Sequence, residues 1–246
     1  MINRFFAALV IICAGVPANA GETKIAVAAN FTATAKGLAS SFQAQSGHKA
    51  ILIFGSTGKL YTQILHGAPF DVFLAADQKR PQKAQAEGLA IAGSRFTYAT
   101  GKIVLYSTNP DLVDEGGNIL NGTKFFKLAI ANPKTAPYGA AAIEAMTKLG
   151  VYNKVKNKIV KGDSIAQTYQ FIMTGNAQLG FVALSQVIFD KNGSKWLVPA
   201  DLYAPIRQDA ALLKRGGENA AAKAFLAFLK SNEAHAIIKR FGYGLE

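Results

Sequence analysis

The chain has 246 residues, 50% hydrophobic and only 17% charged, which excludes a disordered chain and leaves ample core for one large domain or two lobes. Its formal charge is +12, from 27 Lys+Arg against 15 Asp+Glu, but the basic residues are scattered along the sequence. That favours a solvated basic surface over a nucleic-acid stripe, with attraction of small anions as the functional alternative.

Residues 1–20 carry Arg4, an apolar run from Phe5 to Cys13 and an Ala18-Asn19-Ala20 ending. This is the pattern of a cleavable secretory signal, with an apolar run too short to cross a bilayer. A lipid-anchor role for Cys13 is the lesser reading, because Ile12 before it is bulky. Cys13 is the only cysteine, so residues 21–246 exclude disulfides and thiolate chemistry.

The remainder reads as strand–helix units. Residues 24–29 form a strand, and Asn30 can cap a helix striped by Ala35, Leu38, Ala39 and Phe42 and stopped at Gly47. Strand 50–54 leads to Ser56-Thr57 at a second cap, then a stripe of Leu60, Ile64 and Leu65 that Gly67 and Pro69 stop. Val72, Phe73 and Leu74 form a short buried strand, and Asp77 caps a helix over 78–87. Strands follow at 102–106 and 128–131, then a helix over 138–149 begun by Pro137 and stopped by Gly150. Strand 158–160, a helix capped by Ser164, strands 179–184 and 210–213, and helices over 220–230 and onward to Arg240 complete the chain.

Alternating strands and helices imply parallel α/β sheets, whose ligands sit beyond the strand ends at helix N-termini. Four turns share that position: Asn30, Ser56-Thr57, Pro137-Tyr138 and Ser164-Ile165. Any one of them alone is an ordinary cap. Together they offer an anion site, since four converging helix starts would present about +2 of partial charge to a dianion. None places a charged residue at the cap, and Lys59, one turn into its helix, reads as a solvated residue. Gly55 and Gly58 are too close for a phosphate-binding P-loop, and Leu60 follows Lys59 where Ser or Thr belongs. His48, His66 and His235 lack metal spacing, no Gly-x-Ser-x-Gly elbow occurs, and Asp71 and Asp77 match no catalytic pair. The chain is therefore read as a binding protein and not an enzyme.

The strings AANFTATAKGLASSF (28–42), FGSTGKL (54–60) and GAPFDVFLAADQ (67–78) resemble the periplasmic molybdate-binding proteins of ABC importers. The resemblance runs on through KLAIANPKTAPYGAAAIEAM (127–146), GDSIAQ (162–167), NAQLGFVALSQ (176–186) and FLAFLKSNEAHAIIKRFGYG (225–244). It implies a type II two-lobe periplasmic-binding-protein fold, with lobe one formed by 21–101 plus 207–246 and lobe two by 102–206. The oxyanion, molybdate or tungstate, would lie in the interlobe cleft. Its ligands would be Asn30, Thr57, the main-chain N–H of Tyr138 and that of Ile165, with the metal held only through the anion's oxygens. No further cofactor is implied; the partner would be an inner-membrane ABC permease, the protein a monomer and its compartment the periplasm. Relatives that contribute a tyrosine hydroxyl from strand 179–184 differ from this chain, which has Ala183 there and Tyr at 138. Receptors for sulfate or a phosphonate, a signalling receptor and an exported enzyme on a related two-lobe fold are the alternatives.

Overall fold

The computed structural model describes residues 20–246, so the secretory-signal reading of residues 1–20, Cys13 included, lies outside the described residues except for Ala20. In chain order β1 (Glu22–Ala28), α1 (Thr32–Ser46), β2 (Lys49–Gly55), α2 (Thr57–Leu65), β3 (Val72–Leu74), α3 (Lys79–Ala86) and β4 (Phe96–Gly101) come first. They are followed by β5 (Ile103–Ser107), β6 (Leu128–Ala131), α4 (Pro137–Lys148), α5 (Tyr152–Val155), β7 (Ile159–Gly162), α6 (Ile165–Met173), β8 (Leu179–Ala183), α7 (Leu184–Val187) and β9 (Ser194–Leu197). The chain ends with β10 (Ile206–Leu212), α8 (Ala220–Phe228) and α9 (Asn232–Arg240).

These strands form two five-stranded sheets, in the orders β2-β1-β3-β10-β4 and β7-β6-β8-β5-β9. In each, the sequential strand–helix units pair in parallel: β1 with β2 and β3, and β6 with β7 and β8. Each sheet also takes antiparallel strands, β10 between β3 and β4 in the first and β5 between β8 and β9 in the second. The α/β class and the two-sheet architecture agree with the sequence reading. Two strands escaped it, β4 and β9, and β10 starts four residues before the expected 210.

Side-chain alternation buries both faces of each sheet. Ile25 and Val27 of β1 pack with Leu38 and Phe42 of α1 and Phe225 of α8, while Ala26 packs with Leu60 of α2 on the other side. Ile103 and Leu105 of β5 meet Ala142 and Met146 of α4, and Val104 and Tyr106 meet Ile172 of α6. A bulge between Gln208 and Asp209 interrupts the pairing of β10 with β4, and both side chains are fully buried. Asp209 is satisfied there by Arg95, by the Thr97 hydroxyl at 2.8 Å and by Gln78 Nε2 at 3.2 Å.

Asp71, the acid of the GAPFDVF string, is structural. Its carboxylate accepts the Lys24 N–H at 2.8 Å and Asn219 Nδ2 at 3.2 Å, tying β1 to the start of α8. Asp71→Ala leaves the half-buried Lys24 N–H without its acceptor and should lower unfolding stability by about 1–3 kcal/mol, read as a lower urea midpoint. An unchanged midpoint would show that water replaces the carboxylate at no cost.

Candidate functional site

The chain leaves β2 through Gly55 and Ser56 and enters α2 at Thr57. Ser56 occupies the N-cap position with extended backbone, yet its side chain makes no capping bond. The hydroxyl is buried and without any partner, which in a native fold demands an explanation. Thr57 is buried beside it, and its Oγ1 accepts the Ala76 N–H at 3.0 Å. That bond orients the hydroxyl and leaves its proton free to donate.

Two more helix starts meet the same space. After β6, Pro137 opens α4 with its fixed φ, and Tyr138 follows, buried. After β7, Ser164 caps α6 by accepting the Gln167 N–H at 3.3 Å, and Ile165 follows, buried. Gln186 braces this corner: its Oε1 accepts the Ala183 N–H at 2.9 Å and its Nε2 donates to the Ile165 carbonyl at 3.2 Å. Among the described residues the N–H groups of Thr57, Tyr138 and Ile165 have no protein acceptor, as expected of the first turn of a helix.

Asn30, Ser56, Thr57, Tyr138 and Ile165 line one small cavity between the two sheets, with about 10 Å³ open to the centre of a water molecule. The other lining side chains are alanines and Pro137. All four sequence-predicted site residues are therefore brought together, and Ser56 with them. No carboxylate, lysine, arginine, histidine or cysteine belongs to the lining.

Asn30 departs from its expected capping role. It sits in a 3-10 turn (Ala29–Phe31), one residue before the N-cap of α1, and makes no cap bond. Tertiary partners take it instead. Its Nδ2 lies 2.7 Å from Gln208 Oε1, 3.1 Å from the Tyr243 hydroxyl and 3.3 Å from the Tyr138 hydroxyl. Its carbonyl accepts from the Ser185 hydroxyl at 2.9 Å and from Tyr243 at 2.8 Å. Burial, then the neighbouring Tyr243 and Tyr98, push the Tyr138 phenol well above its ordinary value, and burial pushes Tyr243 up to about 12. Both phenols are therefore neutral, and each can donate as well as accept. Gln208, Ser185 and Tyr243 carried no local sequence signal; only their distance in the chain from Asn30 hid them.

The cavity is shut by contacts between the two sheet units. The Gly58 N–H donates to the Thr135 carbonyl at 2.8 Å, Lys59 Nζ pairs with Asp163 at 2.7 Å, and Arg80 Nη2 donates to the Lys134 carbonyl at 2.9 Å. Lys59 is the solvated helix residue of the sequence reading, and its half-exposed pair with Asp163 contributes only about 0–1 kcal/mol. Glycine is required at two contacts. A methyl on Gly58 would lie 2.9 Å from Thr135 Cα, and one on Gly101 would lie 2.0 Å from the Tyr138 hydroxyl oxygen.

Compared with known proteins, residues 23–244 match the bacterial extracellular solute-binding protein family. The chain is 56% identical over 232 residues to the molybdate-binding protein ModA of Azotobacter vinelandii, covering 93% of this chain and 92% of that one. It is 57% identical over 230 residues to ModA of Rhodobacter capsulatus, covering 94% and 91%. Among solved structures, the Azotobacter vinelandii periplasmic molybdate-binding protein superposes with a TM-score of 0.88 at 43% identity, over 91% of this chain and 99% of that one.

The Gly58 contact generates a direct test. A Gly58→Ala chain can relieve its clash by opening the cleft, so its radius of gyration in small-angle scattering should exceed the parent's while the unfolding midpoint stays nearly unchanged. A variant as compact as the parent would place the closing contact elsewhere.

Proposed function

The chain belongs to the bacterial extracellular solute-binding protein family, among its periplasmic molybdate-binding members, and on that premise we propose that it binds molybdate in the cavity between its two sheets and delivers it to an inner-membrane ABC permease. The observation that carries this reading is the set of unused donors in the lining. The Ser56 and Thr57 hydroxyls and the N–H groups of Thr57, Tyr138 and Ile165 border one small space and are not consumed by protein acceptors. Three helix N-termini meet there, each with roughly half a positive charge.

Such a site suits a tetrahedral dianion that is fully deprotonated at neutral pH and only accepts hydrogen bonds. Partly protonated phosphate would set an O–H against donors and lose a bond it cannot replace. Sulfate carries the same charge and no proton, so cavity size is what separates it. Tungstate, nearly the size of molybdate, binds by the same contacts. The Ser56 and Thr57 hydroxyls have no carboxylate, histidine or lysine beside them in the lining to act as a general base, which supports a receptor and not an enzyme.

Asn30 joins the donor set by turning its carboxamide over. Nδ2 would then face the ion, and Oδ1 would accept from Gln208 and the Tyr138 hydroxyl. Gln208 Nε2, fully buried and without a partner, is free to follow. The Tyr138 hydroxyl serves this support, while the Tyr138 main chain serves the ion. Residues 21–101 with 207–246, and residues 102–206, act as the two closing lobes of a monomer. Closure removes water and strengthens each charge-assisted bond. Export by the signal in residues 1–20 places the protein in the periplasm.

Thermal shift with molybdate, tungstate, sulfate and phosphate tests the ligand. The first two should raise the unfolding temperature at millimolar concentration and phosphate should not; no shift with molybdate would sink the proposal, and an equal shift with sulfate would make this a general oxyanion receptor.

Calorimetry tests the residues. Thr57→Val should weaken molybdate binding by about 1–3 kcal/mol, the loss of one bond to a charged group. Tyr138→Phe should cost less, because the hydroxyl acts only through Asn30. Equal losses in the two variants would place the phenol on the ion itself.

A further inference from the structure

The basic residues that look scattered along the sequence are segregated in space. Residues 118–162 carry eight lysines against Glu144 alone, a net +7 within a chain of net +12. Six of these, Lys124, Lys127, Lys148, Lys154, Lys156 and Lys158, sit at one end of the second sheet. There β6 and β7 begin side by side, Leu128 paired with Ile159, and α4 ends at Lys148. The cavity lies at the opposite end of the same strands, where Ala131 pairs with Gly162 and the chain runs on to Tyr138 and Ile165.

None of the six has a carboxylate partner among the described residues, although eight ion pairs occur elsewhere. Lys154 reaches Asn121 Oδ1 at 2.9 Å and Lys148 reaches the Asp201 carbonyl at 2.8 Å. Those bonds place the ammonium groups without neutralising them. Among the lysines stands Phe126, 80% exposed, the most exposed large apolar side chain of the described residues. Its backbone is pinned, since the Phe126 and Lys127 N–H groups both donate to Gln178 Oε1, at 3.2 and 2.8 Å. Phe125 beside it is fully buried, with the Lys158 ammonium 4.3 Å from its ring centroid. The loop therefore turns one phenylalanine in and holds the other out.

A lysine cluster alone is an ordinary solvated face, and solubility does not call for a phenylalanine held outward at its centre. An apolar ring that enters the headgroup boundary, ringed by ammonium groups that meet lipid phosphates, is the pattern of a bilayer-surface contact. We propose that this pole docks on an anionic phospholipid bilayer, with Phe126 inserted and the six lysines over the headgroups. A soluble polyanion would engage the lysines but leave Phe126 without a role. Docking by this end leaves the cleft facing solution, so the receptor can load while held near the membrane.

The test is co-sedimentation of the protein, recovered from a periplasmic extract, with vesicles of phosphatidylglycerol and phosphatidylethanolamine against phosphatidylcholine alone. The parent should sediment with the first and not the second, and should be released by added salt. The triple variant Lys154→Gln, Lys156→Gln, Lys158→Gln should bind at least about tenfold more weakly. Phe126→Ser should lower vesicle binding several-fold and leave heparin binding unchanged. Parent-like melting and molybdate shifts in both variants show that fold and cleft are intact. Failure of the parent to sediment, or vesicle binding equal in parent and variants, would overturn the proposal. Vesicle binding that Phe126→Ser leaves intact would overturn it too, in favour of a polyanion or an acidic protein.

Discussion

The structure turns on one buried asparagine. Asn30 is almost fully enclosed, and its amide and carbonyl are met by Gln208, Tyr243, Tyr138 and Ser185, groups 108 to 213 residues away in the chain. A buried amide left unpaired costs a large share of a domain's net stability, so these groups must arrive together or not at all. Each comes from a different element: the bulge in β10, the tail after α9, the start of α4 and the short α7. The junction therefore fixes where the two sheets meet, and with it the distance between the helix starts that border the cavity. The bulge at Gln208 and Asp209 serves this purpose by sending two successive side chains inward, one to Asn30 and one to Arg95.

Charge and recognition are divided between different parts of the molecule. The chain is strongly basic, yet no cation lines the cavity, and Lys59, two residues after Thr57, is engaged by Asp163. A lysine in the cavity would attract any anion as a point charge. Fixed N–H and O–H dipoles make a narrower demand, because they also require that every ligand oxygen be an acceptor. A net basic surface can raise the local concentration of anions, and in the proposed site the dipoles of Thr57, Tyr138 and Ile165 would then select among them.

The elements that could be read from sequence were those whose signals are local. Helices α4 and α6 announce themselves by Pro137 or Ser164 at one end and Gly150 or Gly175 at the other, with an apolar stripe between. Strands β4 and β9 were missed because each lies at a sheet edge and pairs along its length with a single strand, β10 and β5 respectively, β4 adding only an isolated bridge from Thr100 to Gly244. Neither FTYATG nor SKWL carries a run of buried β-branched residues, so their pairing is imposed by the partner strand. The same reasoning explains the site. Ser56, Thr57, Tyr138 and Ile165 were legible because helix starts have a sequence signature. Asn30 was assigned a cap because Asn is a good cap, but a 3-10 turn intervenes and the buried partners outcompete the local bond. The pairing of Lys59 with Asp163 spans 104 residues and left no trace in either segment.

The same geometry bears on how a bound ion is released. Two of the contacts that shut the cleft are weak: the backbone hydrogen bond at Gly58 contributes about 0.5–1.5 kcal/mol, and the exposed Lys59–Asp163 pair about 0–1 kcal/mol. A dianion that reaches donors from both sheet units adds several charge-assisted bonds, each stronger than any of these contacts. The ion is then the largest single interaction across the cleft, and closure becomes a report of its presence. The one titratable side chain in the lining, the Tyr138 phenol, is held neutral by burial well above its ordinary value, so a change of pH near neutrality has nothing there to act on. Under the proposed reading, release would come from separation of the two units, which would break the donor set into one part from α2 and another from α4 and α6, neither of them able to surround the ion.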